Sequence, residues 1–328
     1  MTGTDHVLLS DGRRLAFTAT GPADGRPIVV LHGGIGVPLG RCAALDAALD
    51  ALNVRWIAVS RPGFGGSDPA PGRTLRSFAP DVEALADRLG LSRFAALGIS
   101  AGGPYALACA HALSRRITAV ALTGSPSPLC PPHATRGAAL RYRLPLRALA
   151  ADPGRFTAVA RTAAKLLARH PGLIARIMAA GASGPDRGAL ADPQAATASA
   201  RSVLACAQAT APALAGDYLI GCRPWGFELP EIEVPVQLWH GMRDRLVPVE
   251  HALQLAIGLP RCHAALAPDE GHFFLARRLP EILEGLAAGD GNDRPAGSAP
   301  LTHESPPGGG PRPASVPPGV RAGVSLSP

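Results

Sequence analysis

Gly98-Ile99-Ser100-Ala101-Gly102 is the stretch that decides the fold, because its serine stands between an apolar run of strand length and a run of helix-forming composition. Residues 94–97 form the first run and residues 103–110 the second, with Pro104 where a first helical turn tolerates proline. A serine on such a sharp turn has a strained backbone and an outward-facing hydroxyl, and side chains at the flanking glycines would collide with neighbouring elements. The pattern alone is weak evidence in a chain with 38 glycines, so its context and its partners decide.

The N-terminal part of the chain alternates between strand and helix patterns, which is typical of a mostly parallel sheet with helices on both faces. A hairpin is predicted at residues 6–9 and 14–20 around Asp11-Gly12. The remaining predicted strands are at 27–31, 55–60, 94–98 and 117–123, and the predicted helices are at 42–52, 80–89 and 102–113. The fold class is therefore α/β.

The alternation breaks after Gly124, and residues 127–222 read as several helices rich in Ala, Leu and Arg. Strand patterns resume at 234–240 and 263–267, with helices at 248–257 and 275–287. A helical block between two strands of one sheet is expected to be a lid. The predicted domains are the core at 1–126 and 223–288, the helical lid at 127–222, and a Gly/Pro/Ser-rich tail at 289–328 that we expect to be disordered.

The formal net charge of +7 belongs to residues 127–222, which contain eleven basic and four acidic residues. One hypothesis is that the substrate, or the surface that carries it, is anionic. The favoured alternative is that these charges are simply solvated on outer helix faces. Nucleic-acid binding is not expected, since the basic segment lacks interleaved aromatic residues and a recognisable binding module.

Other features of the sequence indicate a cytoplasmic protein. Residues 1–10 lack the basic leader and the apolar stretch of a secretory signal. The six cysteines are scattered without a Cys-x-x-Cys pair, which favours free thiols over disulfides or a zinc site. Residues 94–114 carry no formal charge, but Gly98, Gly102 and Pro104 interrupt them, so no membrane span is expected. We also expect no metal and no cofactor.

Nucleophilic serine chemistry needs a histidine to take the hydroxyl proton and a carboxylate to orient that histidine. After a strand-turn-helix serine, the expected chain order is Ser, then Asp or Glu, then His. Asp244 lies in the loop after the strand 234–240, and His272 lies in the loop after the last predicted strand. Both loops are expected at the carboxyl edge of the sheet, where open α/β sheets assemble their sites.

Five motifs in this order resemble those of the α/β-hydrolase superfamily, in particular its lidded serine hydrolases. They are Leu-His-Gly-Gly at 31–34, Ser-Arg-Pro-Gly-Phe-Gly-Gly-Ser at 60–67, Gly-Ile-Ser-Ala-Gly-Gly at 98–103, His-Gly-Met-Arg-Asp at 240–244 and Glu-Gly-His at 270–272. The resemblance spans residues 5–126 and 223–287. It implies Ser100 as nucleophile, His272 as general base and then acid, and Asp244 as the orienting carboxylate.

The resemblance also implies an oxyanion hole formed by the backbone N–H groups of Gly34 and Ala101. The second donor has independent support, because the residue after the nucleophile begins a helix, where N–H groups are unpaired and the helix dipole favours negative charge.

Other titratable residues near these motifs are given structural roles. His240 and His263 lie in predicted strands and are expected to be core or surface residues. His32 is expected to shape its own loop through hydrogen bonds, and Arg61 to pin its loop. Asp269 and Glu270 flank His272, but the family pattern does not use them as the orienting carboxylate.

The predicted function is hydrolysis of an ester, thioester or lactone of a small molecule through an acyl-enzyme intermediate. Serine at position 100 argues against relatives that use an aspartate nucleophile. An aminopeptidase is disfavoured by Ile35, where the proline aminopeptidase relatives carry Pro before Gly, and by the basic lid. Carbon–carbon bond hydrolysis or lyase chemistry remains possible on such a site. A ligand-binding or receptor-like protein with little turnover is the alternative from another functional class.

Overall fold

The computed structural model describes residues 4–34, 43–128, 144, 147–149, 151–189, 191, 193–288 and 323–326. Their strands form one sheet in the order β1-β2-β4-β3-β5-β6-β7-β8-β9. The bounds are Asp5–Leu8 (β1), Arg14–Thr20 (β2), Arg26–Leu31 (β3), Val54–Val59 (β4), Phe94–Ile99 (β5), Ile117–Thr123 (β6), Val236–Gly241 (β7), Cys262–Ala267 (β8) and Gly323–Leu326 (β9). β2 is antiparallel to both of its neighbours, β1 and β4. Every other pair of neighbouring strands in the sheet is parallel.

The described helices either cover the two faces of this sheet or lie between β6 and β7. They are Ala43–Ala51 (α1), Ala79–Arg88 (α2), Gly103–Ala112 (α3), Pro153–Leu167 (α4), Pro171–Gly181 (α5), Gly184–Ala189 (α6), Pro193–Gly221 (α7), Val249–Gly258 (α8) and Leu275–Ala288 (α9). Apolar residues of α2, α3 and α8 pack in one buried cluster, and those of α1 and α9 pack in another. Strands buried on both faces carry continuous apolar runs, which explains why β5 has no polar residue.

The predicted elements of the core are confirmed, with ends that shift by one or two residues. The positions of the strands follow from their apolar runs, and the helix ends follow from local stops. Gly90, for example, follows α2 with a φ of 68°, a conformation that favours glycine. Its N–H donates to the carbonyl of Asp87.

Helices α4 to α7 lie between β6 and β7, within the segment 127–222 that we call the helical insertion. Asp152 caps α4, since its side chain accepts a hydrogen bond from Arg155 N at 2.9 Å. Both α4 and α5 pack against the long helix α7. The side chains of Arg161, Lys165 and Arg169 are exposed, as solvated charges on an outer face would be. Residues 129–143 of the insertion lie outside the described residues.

The C-terminal segment contains one departure from the expectation of disorder. Gly323–Leu326 forms β9, which pairs with β8 in parallel from His263 to Leu266. The sequence predicts disorder for these four residues because residues 289–328 are rich in Gly, Pro and Ser. A strand this short has too few apolar residues to stand out in such a sequence. Residues 289–322 and 327–328 lie outside the described residues.

Candidate active site

Ser100 lies on a strained turn between β5 and α3. Its φ is +50°, in a region that non-glycine residues seldom adopt. Such a conformation costs on the order of 1–3 kcal/mol and persists only where the surroundings impose it. A Cβ on Gly98 would lie 2.6 Å from Gly103 Cα, and one on Gly102 would lie 2.7 Å from His32 O. The close packing predicted at the flanking glycines is therefore present.

The loop after β3 runs directly beside this turn. A Cβ built on Gly33 would lie 3.5 Å from Ser100 Cβ, and one on Gly34 would lie 3.8 Å from Ala101 Cβ. The two predicted oxyanion-hole residues, Gly34 and Ala101, are thus neighbours beside the Ser100 turn. Ala101 is in the 3₁₀ turn Ser100–Gly102 that leads into α3, where N–H groups lack partners within the helix.

Asp244 lies in the turn after β7 and is buried. Its Oδ1 accepts hydrogen bonds from Leu246 N at 2.8 Å and Val247 N at 2.9 Å. Its Oδ2 lies 2.6 Å from His272 Nδ1. Burial favours the neutral acid, but the nearby histidines and the hydrogen bonds outweigh it, and the pKa of Asp244 is lowered. The carboxylate is therefore ionised and fixed in orientation.

His272 lies in the loop after β8, with its side chain 13% exposed. Burial disfavours the imidazolium, but the negative charges of Asp244 and then Asp186 outweigh it, so the pKa of His272 is raised. Because Nδ1 faces Asp244, Nε2 is left to exchange a proton. In the described part of the chain no hydrogen bond joins Ser100 Oγ to His272. Such bonds are often long in unliganded enzymes and tighten when substrate binds.

Gly124, at the end of β6, contacts this pair and was not singled out as a site residue from the sequence. A Cβ there would lie 3.1 Å from His272 Cε1 and 3.6 Å from Asp244 Oδ2. Its φ is +54°, which also favours glycine. The break in the strand-helix pattern at this glycine was the available signal. Ser100, Gly124, Asp244 and His272 therefore follow β5, β6, β7 and β8, four neighbouring strands, at one edge of the sheet.

His32 is buried and neutral. Its Nε2 accepts from Arg61 N at 3.1 Å, so Nδ1 carries the proton that is donated to Gly33 O at 2.8 Å. Burial, with the positive charge of Arg61, lowers the pKa of His32 to about 3. This agrees with the expectation that His32 shapes its own loop.

The remaining candidates are held in other contacts. His240 is 1% exposed and donates from Nε2 to Val247 O at 2.9 Å, and burial lowers its pKa. Asp269 pairs with Arg243 at 2.7 Å. Glu270 pairs with Arg277.

Two buried aspartates of the helical insertion reach the loops of this site, and sequence reasoning missed both. Asp186 Oδ1 accepts from Phe273 N at 2.9 Å, and its Oδ2 accepts from Ser183 Oγ at 2.6 Å. A Cβ on Gly271 would overlap the Asp186 carboxylate. Asp217 pairs with Arg61 at 2.8 Å. The available signal was an isolated acidic residue within an Ala-rich helical segment.

Residues 26–277 match the family described as alpha/beta hydrolase fold. The chain belongs to this family. A hydrolase from Pseudomonas aeruginosa superposes with a TM-score of 0.63 at 22% identity, over 87% of this chain and 97% of that one. An esterase from Rhodococcus sp. ECU1013 superposes with a TM-score of 0.64 at 22% identity, over 88% and 99% of the two chains.

Curated relatives match a shorter stretch of this α/β hydrolase. A proline iminopeptidase from Xylella fastidiosa is 32% identical over 130 residues, which cover 38% of this chain and 41% of the relative. A non-heme chloroperoxidase from Streptomyces lividans is 37% identical over 100 residues, which cover 30% and 35% of the two chains. The matched stretches thus span less than half of either relative, and their activities do not transfer with the fold.

The described residues contain no helix that is long and apolar enough to cross a membrane. They also contain no group of three or more His, Cys, Asp or Glu side chains placed to hold a metal ion. Cys109 and Cys262 are buried free thiols, and burial raises the pKa of Cys262 to about 12.

Proposed function

We propose that this α/β hydrolase is a serine hydrolase that cleaves an ester, thioester or lactone of a small molecule through an acyl-enzyme intermediate. The observation that carries the proposal is the strained Ser100 turn at the same sheet edge as the His272–Asp244 pair, whose Nδ1 and Oδ2 are 2.6 Å apart. Strain of this kind is concentrated at functional sites.

The proposed reaction starts with attack of Ser100 Oγ on the carbonyl carbon, while Nε2 of His272 takes the hydroxyl proton. The carbonyl oxygen becomes an oxyanion, which accepts hydrogen bonds from the N–H groups of Gly34 and Ala101. The bond to the leaving group then breaks, and His272 gives it the proton. Water, deprotonated by His272, attacks the acyl-enzyme and releases the acid and free Ser100.

The ionised Asp244 stabilises the imidazolium that forms in each step and keeps the imidazole in the correct tautomer. Each oxyanion donor is typically worth about 10²–10³ in kcat. We also propose that the helical insertion forms a lid over the site. This is supported by Leu214 of α7, whose Cδ1 would lie 3.4 Å from a Cβ built on Gly34 in the proposed oxyanion hole.

A fluorophosphonate probe and short p-nitrophenyl esters test this proposal directly. The wild-type protein should be labelled on Ser100 and should release p-nitrophenol, and Ser100→Ala should do neither. Folded wild-type protein that is not labelled would favour a ligand-binding protein instead.

Proline iminopeptidase activity is the second candidate, favoured by the relative that is 32% identical over 130 residues. The same three residues, Ser100, His272 and Asp244, would cleave the amide bond after an N-terminal proline. Proline p-nitroanilide distinguishes the candidates: an esterase should cleave it far more slowly than p-nitrophenyl esters. A higher kcat/KM for the anilide would replace the first proposal by the second.

A further inference from the structure

A buried ion network joins the helical insertion to residues 32–34 of the loop after β3, which we call the oxyanion loop. Asp217, on α7, is bonded by its Oδ2 to Arg61 Nε at 2.9 Å. Its Oδ1 accepts from Arg73 Nη2 and from the Tyr105 hydroxyl, both at 2.6 Å. The side chain of Arg61 is 0% exposed and that of Asp217 is 3% exposed. Burial favours the neutral acid, but the two guanidinium groups outweigh it and the pKa of Asp217 is lowered.

The edge of the Arg61 guanidinium formed by Nη1 and Nη2 donates hydrogen bonds to the oxyanion loop. Its Nη1 donates to His32 O, and its Nη2 donates to Gly33 O at 3.3 Å. One planar guanidinium therefore binds a carboxylate on one side and two carbonyls on the other, which a lysine cannot do. The ring centroids of Phe64 and Tyr105 each lie 5.1 Å from Cζ of Arg61, so both rings pack against the guanidinium.

The carbonyl of Gly33 belongs to the same peptide unit as the N–H of Gly34. In a trans peptide these two groups point in opposite directions. Gly33 O is held by Arg61 and by His32 Nδ1, so the N–H of Gly34 is directed to the opposite side. Ala101 lies beside Gly34.

We propose that Arg61 and Asp217 are positioning residues that aim the Gly34 N–H at the developing oxyanion, so that the helical insertion completes the oxyanion hole. This inference rests on the proposed function. Arg61 acts through the Gly33–Gly34 peptide, and Asp217 acts through Arg61. Neither side chain touches the reacting atoms.

The test compares a p-nitrophenyl ester with its thionoester, in which sulfur replaces the carbonyl oxygen. A sulfur anion gains less from N–H donors, so a defect in the oxyanion hole penalises the ester selectively. Arg61→Lys should lower kcat/KM for the ester about 10- to 100-fold, below the 10²–10³-fold cost of losing a donor outright. The loss should be in kcat, with KM nearly unchanged, and the thionoester should lose less than about 3-fold.

Arg13→Lys is the matched control, because Arg13 forms a similar two-point pair with the buried Asp81, at 2.9 Å and 2.8 Å. Arg13 directly precedes β2, which is separated from β5 in the sheet by β4 and β3. This variant should leave the ester-to-thionoester ratio at the wild-type value. If Arg61→Lys does not fold, the ratio is measured in Asp217→Asn, which removes the carboxylate charge that holds Arg61 and should show a smaller loss with the same selectivity for the ester. Equal losses for both substrates in a folded variant would overturn the inference. Failure of the wild type to be labelled on Ser100 would instead overturn the proposed function.

Discussion

Replacing Gly124 by alanine adds a methyl group beside the imidazole of His272. The new Cβ would lie 3.1 Å from Cε1 and 3.2 Å from Nδ1, both closer than an ordinary contact of 3.4 Å or more. The ring must therefore shift by a few tenths of an ångström. The φ of +54° adds a backbone penalty of about 1–2 kcal/mol for a residue with a side chain.

These two effects separate in a matched variant. Gly90 has a φ of +68°, and a Cβ there meets nothing within 4 Å, so Gly90→Ala carries the backbone penalty alone. Gly90→Ala should lose about 1–2 kcal/mol of unfolding free energy, and Gly124→Ala should lose at least as much. Only Gly124→Ala should lose activity, by about 3- to 10-fold in kcat, because a misplacement of 1 Å costs about 10²-fold.

Urea denaturation gives the unfolding free energies, and hydrolysis of a p-nitrophenyl ester gives kcat. Full activity of Gly124→Ala would refute the placement of this glycine against a catalytic histidine. An equal loss of kcat in Gly90→Ala would show that the defect comes from general destabilisation.

Three further changes test other parts of the molecule. Asp186→Asn removes a negative charge that raises the pKa of His272; since the base must be neutral, the acidic limb of kcat/KM should move to lower pH, and an unmoved limb would contradict this coupling. Asp244→Asn should lower kcat about 10⁴-fold by favouring the wrong tautomer, and a variant with full activity would show that the orienting carboxylate is another residue. Ile282→Ala in α9, a site that is 0% exposed, should lower the unfolding free energy by about 2–5 kcal/mol in urea titrations, and a loss below about 1 kcal/mol would contradict tight packing there.

Most of the core could be predicted because its signals are local. An apolar run such as Phe94–Ile99, which ends at the glycine-flanked Ser100, already determines a buried strand. The strained turn at Ser100 was predictable for the same reason, since Ser100 and the small neighbours that the turn needs are adjacent in the sequence.

The contacts of Asp186 and Asp217 could not be predicted in this way. Asp217 and Arg61 are 156 residues apart, and no spacing rule connects an insertion helix to a loop after another strand. Their pairing depends on how α7 packs over Gly63, where a Cβ would lie 2.8 Å from Ala213 Cβ. That packing is a tertiary property. Likewise, β9 is defined by its pairing with β8 rather than by its own four residues.

The burial of Arg61 and Arg73 against Asp217 limits which segments of this protein can be exchanged with those of its relatives. An insertion grafted from a relative, without a carboxylate at the position of Asp217, would leave two guanidinium groups facing each other beneath α7. Removing one partner of a buried ion pair typically costs about 3–5 kcal/mol, a large part of a domain's stability. Exchange of substrate specificity between relatives by swapping this segment would therefore require either that aspartate in the donor or the replacement of both arginines in the recipient.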